Sequence, residues 1–403
     1  MIQCPAMNAQ QRLLLDGTVS TLPSDIIENI LWRLPTKEIV RTSILSKEWR
    51  YNWTKIPKVV FIERLFDKLT DENQLPLTGE RRNTRRRCKF FNAIYQFLLV
   101  HQGPIVDFTF STMPLVQYGH CVEIDQILLN LSRKNNVRKL CFSSLCELPS
   151  SIFSFHQLTH LYLSRCRINH LPTFNGFGSL TNLCLGYIEY IPKRTLMHIL
   201  SNNRLLKSFT ILLQLTSGNN IAVHDGEYGT FNELFQCLPV IQHLTLCVWD
   251  IQYFYTGAVP REVVTTLVHL KYLSLEEMCL YENDWFRFLL LILRSSPNLE
   301  KLKLGRISEE ERWKYDFNDD IDSVTMQDGL DIWLEHLIEL DFAYFDGKKP
   351  DLDFVKLILA KSPILKKVIL RVYDEDESLK LLEALLPSSC ASPTVEIFGY
   401  WEN

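Results

Sequence analysis

One spacing of apolar residues recurs along most of the chain. A large aliphatic residue is followed by two variable positions, a second apolar residue, one variable position and a third apolar residue. The copies read VRKLCF from Val137, LTHLYL from Leu158, LTNLCL from Leu180, LKSFTI from Leu206, IQHLTL from Ile241, LKYLSL from Leu270, LEKLKL from Leu299, LIELDF from Leu337 and LKKVIL from Leu365. Apolar residues two positions apart point to the same side of a strand. The pattern therefore predicts a series of short strands, each with one apolar side.

The stretches between these copies predict how the strands are connected. Weaker copies flank the series at Ile105 and Val395, and the main copies start 21 to 38 residues apart. The longer intervals leave room for helices, and the sequence predicts helices over 285–296 and 352–362. Three prolines lie two residues before the first apolar residue of a copy and would stop a helix at the same register: Pro239, Pro297 and Pro363.

One copy carries the longer form L-x-x-L-x-L-x-x-C-x-L, which is the signature of a leucine-rich repeat. Its residues are Leu158, Leu161, Leu163, Cys166 and Ile168. One such strand cannot bury its apolar side alone, whereas a stack of parallel strands forms one continuous core. The central part of the chain is therefore predicted to be a leucine-rich-repeat solenoid, with parallel strands on the concave face and helices and loops on the convex face.

Residues 22–53 have a different, helical pattern. A first apolar line consists of Ile26, Ile27, Ile30, Leu31 and Leu34, and a second of Val40, Ile44, Leu45, Trp49 and Trp53. A helical cluster of fewer than about 40 residues rarely buries enough apolar surface to be stable alone. Either the repeats or another protein must cover the remaining surface. From the residues alone, a cap on the repeats and a partner interface are equally acceptable.

Residues 20–61 resemble the F-box. The matching features are the opening Leu22-Pro23, Asp25-Ile26-Ile27, Leu34-Pro35-Thr36-Lys37-Glu38, Arg41-Thr42-Ser43, the closing Leu45-Ser46-Lys47 with Trp49-Arg50, and Trp53. Residues 88–111 resemble the linker and first strand of plant F-box/leucine-rich-repeat proteins, and residues 334–370 resemble the FBD region of the same family. The chain is thus identified as a member of the plant F-box/FBD/LRR family.

This resemblance completes the predicted fold class and domain organisation. The fold class is α/β, a short all-helical F-box followed by a leucine-rich-repeat solenoid. The predicted domains are a disordered N-terminus over 1–18, the F-box over 19–61, a linker with a basic run and a helix over 62–103, leucine-rich repeats over 104–333 and FBD-like repeats over 334–403.

The resemblance also implies a function without chemistry on this chain. The F-box would dock on a Skp-type adaptor and, through it, on cullin and RING subunits of an SCF-type ubiquitin ligase, while the repeats would hold a target protein for ubiquitination. The implied adaptor-binding residues are Leu22, Pro23, Ile26, Ile27, Ile30, Leu31, Leu34, Pro35, Val40, Leu45, Lys47, Trp49 and Trp53. The alternatives are a ligase-independent scaffold and a receptor that needs a small molecule to bind its target.

The variable positions of the predicted strands face solvent and are the candidate target-binding surface. The candidates are His160, Tyr162, Asn182, Cys184, His243, Tyr272, Lys301 and Lys303. A polyphosphate site would need clustered basic residues on neighbouring strands. Lys301 and Lys303 instead lie between strands that carry Glu276 and Glu339. Because the charges alternate in sign, no anionic ligand is expected.

Composition narrows the classes further. The chain has 403 residues, 46% of them hydrophobic and 22% charged, with a formal net charge of −4, which excludes wholesale disorder and a basic nucleic-acid coat. The apolar run at 288–293 is far shorter than the roughly 20 residues of a membrane span. No nucleic-acid or membrane partner is therefore expected.

Eleven cysteines and no evident signal peptide predict reduced thiols and a cytoplasmic and nuclear location. The basic run at 81–89 is either a solvated linker or a nuclear-import or acidic-partner segment. No C-x-x-C, nucleophile or acid–base pattern is present, so no catalytic residue, metal or cofactor is expected.

Overall fold

A computed structural model describes residues 22–31, 33–34, 36–45, 49–63, 79–112, 121–169, 176–213, 231–247, 266–278, 283–306, 331–345, 347–372, 385 and 389–401. The chain divides into two compact units between Ser179 and Leu180. The predicted N-terminal disorder over 1–18 and the residues Trp32, Pro35 and Lys47 lie outside the described residues.

The first unit begins with short helices and continues into a parallel sheet. Its elements are α1 (Ser24–Leu31), α2 (Thr36–Arg41), 3-10 turns at Thr42–Ile44 and Trp49–Lys55, β1 (Lys58–Ile62), α3 (Gly79–Val100), β2 (Asp107–Thr112), α4 (Val122–Lys134), β3 (Lys139–Ser144), a 3-10 turn at Ser150–Ser154 and β4 (His160–Ser164). Strands β1 to β4 pair in parallel in chain order.

The second unit continues the repeats. Its elements are β5 (Asn182–Ile188), α5 (Lys193–Ser201), β6 (Ser208–Leu213), α6 (Phe231–Gln236), β7 (His243–Cys247), β8 (Tyr272–Met278), α7 (Asn283–Ser295), β9 (Lys301–Arg306), β10 (Glu339–Ala343), α8 (Lys349–Lys361), β11 (Lys367–Val372) and β12 (Glu396–Trp401). Each strand from β5 to β11 pairs in parallel with the next, ending with β12.

The nine main copies and the copy at Ile105 are confirmed as strands, and residues at the same repeat position pair with one another. The copy at Val395 is wrong by one residue, because Ile397 rather than Phe398 pairs with buried Val368. In the second unit Leu244 is opposite Leu273, and Leu302 is opposite Leu340, and all four side chains are buried. Residues of equal repeat phase therefore stack on one another, as a shared core requires. The fold is an α/β leucine-rich-repeat fold preceded by a helical F-box segment.

The two predicted helices are confirmed as α7 and α8, each of which ends shortly before a proline. Their facing surfaces are in contact, since the rings of Phe286 and Phe354 lie 6.2 Å apart in an edge-to-face arrangement. Helix α3 packs on the sheet of the first unit in the same way, with Phe90 5.9 Å from Phe110 of β2. Helices thus cover the apolar side of the strands.

Strand β1 was not predicted as a strand. The sequence KVVFI lies at the end of the segment that resembles the F-box, where the repeat spacing of Ile56, Val59 and Phe61 was missed. Val59 and Phe61 nevertheless alternate with less buried neighbours and are themselves buried. The sheet therefore begins before the predicted F-box ends at residue 61.

Candidate adaptor-docking surface and repeat face

The F-box helices have one side turned into the protein. Ile27 and Leu31 of α1, Ile39 of α2 and Trp49 of the second 3-10 turn are all buried. Ile27 and Leu31 are four residues apart and therefore lie on one face of α1. These side chains form the internal core of the segment.

A second set of apolar side chains in the same segment is exposed. Ile26 and Ile30 are exposed one turn apart on α1, and Leu45 is exposed after the first 3-10 turn. Ile44 is 85% exposed and Tyr51 is 65% exposed. A concentration of large apolar side chains on a short segment is typical of a protein-interaction site. We refer to Ile26, Ile30, Ile44, Leu45 and Tyr51 as the outer face.

Burial divides the adaptor-binding residues implied by the sequence. The buried members are Ile27, Leu31 and Trp49; the half-buried members are Leu22, Leu34, Val40 and Trp53; the exposed members are Pro23, Ile26, Ile30 and Leu45. Trp49 is only 3% exposed, so it belongs to the buried set rather than to the outer face. Ile44 and Tyr51, the two most exposed members of that face, were missed from the implied set.

Hydrogen bonds fix the F-box helices to the rest of the first unit. The Thr36 hydroxyl, at the start of α2, accepts the backbone N–H of Val60 in β1 at 2.7 Å. The Thr54 carbonyl accepts the N–H groups of Gln102 and Gly103 at 2.8 and 3.1 Å. Gly103 approaches so closely that an added Cβ would lie 2.6 Å from the Lys55 carbonyl oxygen. The helices are therefore held against the residues that lead into the sheet.

Two ring contacts reinforce this attachment. Trp53 lies 5.3 Å from Phe97 of α3, and His101 stacks on the same Phe97 at 5.2 Å. The Nε2 of buried His101 lies 2.9 Å from the carbonyl oxygen of Ile56, to which the neutral imidazole can donate. Burial lowers the pKa of His101, and the charge of Lys134 adds to that effect. The neutral ring is therefore the form that fits this position.

The candidate target-binding residues lie at neighbouring positions on the strands of each unit. In the first unit, His160 and Tyr162 stand on β4 opposite Lys139 and Cys141 of β3. Burial lowers the pKa of His160, and Lys139 lowers it further. The Thr159 hydroxyl lies 2.9 Å from the Nδ1 of His160.

The candidates of the second unit form two adjacent rows across the strands. One row runs from Asn182 through His243, Tyr272 and Lys301, and the other contains Cys184 and Lys303. The rings of His243 and Tyr272 are 6.0 Å apart on neighbouring strands. The predicted alignment on one side of the strands is therefore present within this unit.

The charged end of these rows is largely compensated. Lys303 bonds Glu276 at 2.9 Å and Lys301 bonds Glu339 at 3.3 Å. Although burial alone would lower the pKa of Lys303, the hydrogen bond and charge of Glu276 raise it. A basic cluster for a polyanion does not form from these two lysines, in agreement with the alternating signs in the sequence.

Arg306 and Arg371 are engaged in a similar way. Arg306 is buried, 3.6 Å from the buried carboxylate of Asp351. Arg371 makes two hydrogen bonds to Asp341, at 3.0 and 2.9 Å. Such a two-point contact fixes the guanidinium in one plane.

Comparisons with known proteins agree with this architecture. The family model of the F-box domain matches residues 19–59. An F-box/FBD/LRR-repeat protein of Arabidopsis thaliana is 26% identical over 94% of this chain and 97% of its own length. A second protein with that description is 22% identical over 90% of this chain and 91% of its own. An FBD-associated F-box protein of the same plant is 26% identical over 66% of this chain and 55% of its own.

A crystal structure of a TLR13–ssRNA13 complex is 15% identical and covers 73% of this chain and 39% of that chain, with a TM-score of 0.34. That similarity is too low to support an inference.

The fold and the F-box match define an F-box protein with leucine-rich repeats. An F-box supports a ubiquitin-ligase adaptor role in general. The chain is similar to plant F-box/FBD/LRR-repeat proteins over most of its length.

Three further observations concern other kinds of site. No helix in the described ranges is both long and apolar enough to cross a membrane. The described residues contain no group of three His, Cys, Asp or Glu side chains that could hold a metal ion. The nine cysteines in the described part of the chain are outside any disulfide.

Proposed function

We propose that this protein is the substrate-recognition subunit of an SCF-type cullin–RING ubiquitin ligase. The F-box binds a Skp-type adaptor, which connects the chain to the cullin and RING subunits, and the repeats bind a target protein. The chain itself is a non-catalytic adaptor that raises the local concentration of the target near the ubiquitin-charged enzyme. No cofactor takes part.

The outer face is the observation that carries this proposal. The F-box segment is already packed on its inner side and anchored to the first unit, yet it keeps Ile26, Ile30, Ile44, Leu45 and Tyr51 exposed. Large apolar side chains in this state gain about 1.5–3 kcal/mol each when a partner covers them fully. The partner expected for an F-box is an adaptor subunit.

Co-purification of the full-length chain with a recombinant Skp-type adaptor tests the proposal. Ile44→Asp places a charge at the most exposed position of the outer face and is expected to weaken adaptor affinity at least about tenfold, as for a central interface residue. Leu205→Asp is the matched control, because Leu205 is also exposed but lies between α5 and β6. Equal adaptor binding by both variants would contradict the proposal.

A ligase-independent scaffold is the second candidate. The hydrogen bonds of Thr36 and Thr54 to the rest of the first unit favour it, since a cap on the repeats would need such bonds. A cap alone gives no reason for exposed Ile44 and Tyr51. Failure of the wild-type chain to bind any Skp-type adaptor would select the scaffold.

Location in cytoplasm and nucleus is part of the same proposal. It is supported by the basic N-terminal half of α3, which contains Arg85, Arg86, Arg87 and Lys89. Imaging of a fluorescent fusion, with those four residues replaced by glutamine as a control, tests whether the basic segment contributes to nuclear entry.

A further inference from the structure

Three strands of the second unit end in the same unusual backbone conformation. Tyr187, Glu277 and Tyr344 have φ angles of 53°, 58° and 56°, in the left-handed region. Tyr187 and Glu277 lie where the register of β5 and β8 shifts by one residue relative to the next strand. Tyr344 directly follows the last residue of β10. We call these three residues the rim residues.

The fold explains why the backbone is left-handed at these positions, but it does not explain which side chains occupy them. The residue after each rim residue turns inward and is buried: Ile188, Met278 and Phe345. A left-handed residue makes that turn, and glycine adopts it without the steric strain that a Cβ causes. Glycine would therefore satisfy the fold at all three places. The chain carries two tyrosines and a glutamate instead.

These side chains are available for contact. Tyr187 is 52% exposed and Tyr344 is 41% exposed. Glu277 is half-buried, and one carboxylate oxygen accepts a hydrogen bond from the Cys247 thiol at 3.1 Å. Bulges commonly re-aim a side chain, and backbone strain is retained where the side chain has a use. Tyrosine is among the residues that most often dominate a protein interface.

The spacing of the rim residues indicates a macromolecular ligand. Strands β5 to β10 are consecutive neighbours within the unit, so at about 4.8 Å per strand Glu277 lies roughly 14 Å from Tyr187 and roughly 10 Å from Tyr344. A row of roughly 24 Å exceeds the reach of a small metabolite. Neighbouring Lys303 and Arg371 are paired with Glu276 and Asp341, so these two side chains offer no uncompensated charge to a polyanion.

We propose that the rim residues are the anchors by which the repeats bind the target protein. The matching surface of the target has apolar side chains for the two tyrosines and a lysine or arginine between them for the carboxylate of Glu277. The proposal rests on the proposed function and names the place on the repeats where that function selects its substrate.

Stability measurements separate this role from a structural one. Tyr187→Gly and Tyr344→Gly remove side chains from strained positions, so each is expected to leave the melting temperature unchanged or raise it. Tyr400→Gly is the control, since Tyr400 is also exposed but lies in β12 without a left-handed backbone, and it is expected to lower the melting temperature. A drop as large for the rim variants as for the control would make the rim tyrosines structural and overturn the proposal.

Photo-crosslinking tests target binding in the full chain. A benzophenone-bearing residue is placed at position 187 or 344, or at exposed Leu205 or Ile364 as controls, in plant cells with the proteasome blocked. One common protein should crosslink from both rim positions and from neither control. Its ubiquitination should fall at least about tenfold in the Tyr187→Gly/Tyr344→Gly double variant.

Several outcomes would overturn the proposal: no crosslink at the rim, equal crosslinking from the controls, crosslinking only to a second copy of this chain, or full ubiquitination of the captured protein in the double variant. Adaptor co-purification is measured in the same cells. If the wild-type chain does not co-purify with the adaptor, the proposed function is wrong. If it does co-purify but the rim positions do not crosslink, only the proposal for the rim residues is wrong.

Discussion

The hydroxyl of Thr36 accepts the backbone N–H of Val60 at 2.7 Å, and Thr36 is buried where it does so. One hydrogen bond thus joins the second F-box helix to the first strand of the sheet. Thr36→Val keeps the shape of the side chain but leaves the Val60 N–H without this acceptor. We expect a loss of about 1–3 kcal/mol in the free energy of unfolding, measured by denaturant titration.

Thr36→Ser is the matched control for that variant, because serine keeps the hydroxyl and loses only a methyl group. It should retain most of the stability. A serine variant as unstable as the valine variant would show that packing of the methyl group, rather than the hydrogen bond, holds this junction.

A second prediction compares two neighbouring isoleucines of α1. Ile27 is buried and Ile26 is exposed. Ile27→Ala should lower the free energy of unfolding by about 2–4 kcal/mol through lost burial and the cavity left behind. Ile26→Ala should change stability by less than about 0.5 kcal/mol and weaken adaptor binding instead. Thermal unfolding and adaptor titration of both variants measure the contrast, and equal adaptor affinity of Ile26→Ala and wild type would count against the outer face.

A third prediction compares two glycines. A Cβ at Gly103 would lie 2.6 Å from the backbone oxygen of Lys55, whereas a Cβ at Gly305 would lie 2.5 Å from the Glu276 carboxylate. The backbone cannot move cheaply, but a carboxylate at the end of a side chain can rotate away. Gly103→Ala should therefore cost about 1–3 kcal/mol or more, and Gly305→Ala clearly less. Similar melting temperatures for the two variants would contradict this reasoning.

The buried His101 gives a prediction about pH. Burial lowers the pKa of His101 below its ordinary value of 6.5, so the unfolded chain binds more protons than the folded chain in the interval beneath that value. Stability contributed by the neutral ring is complete above pH 6.5 and declines as the pH falls below it. The free energy of unfolding, measured from pH 7.5 to 5, should show this decline.

His101→Gln is the control for the pH experiment. Glutamine does not titrate in this range and can still donate to the Ile56 carbonyl. The slope of stability against pH should be smaller for the variant than for the wild type. Parallel pH curves for the two proteins would show that other groups produce the decline.

The repeat strands could be predicted from sequence because burial on one side imposes a strict two-residue period. The spacing alone predicts that the side chains of Leu244, Leu273 and Leu302 point inward. Strand β1 carries the same spacing in Ile56, Val59 and Phe61, all buried, but it was missed because these residues lie inside the segment that resembles the helical F-box. Its pairing with β2 places Val59 opposite Phe108 and Phe61 opposite Phe110, the same repeat phase as in the other strands.

The candidate site was predictable only in part. Helical spacing placed Ile44 in one apolar line with Trp49, but residues Thr42–Ile44 form a 3-10 turn, whose three-residue period changes the direction of the side chain. The alternation of charge was visible, yet the pairing of Lys303 with Glu276 required the register of β8 and β9. The rim residues could not be predicted from sequence, because tyrosine and glutamate do not indicate a left-handed backbone as glycine does.

Only Ile56 and Pro57 separate the last residue of the Trp49–Lys55 turn from the first residue of β1, and the Thr54 carbonyl is tied across to Gln102 and Gly103. The junction is too short and too firmly hydrogen-bonded for the F-box helices to rotate relative to the first strands. A protein bound to β1 to β4 would therefore keep a constant orientation relative to a subunit bound to those helices. Lengthening this two-residue junction would change that orientation while leaving both contact surfaces intact.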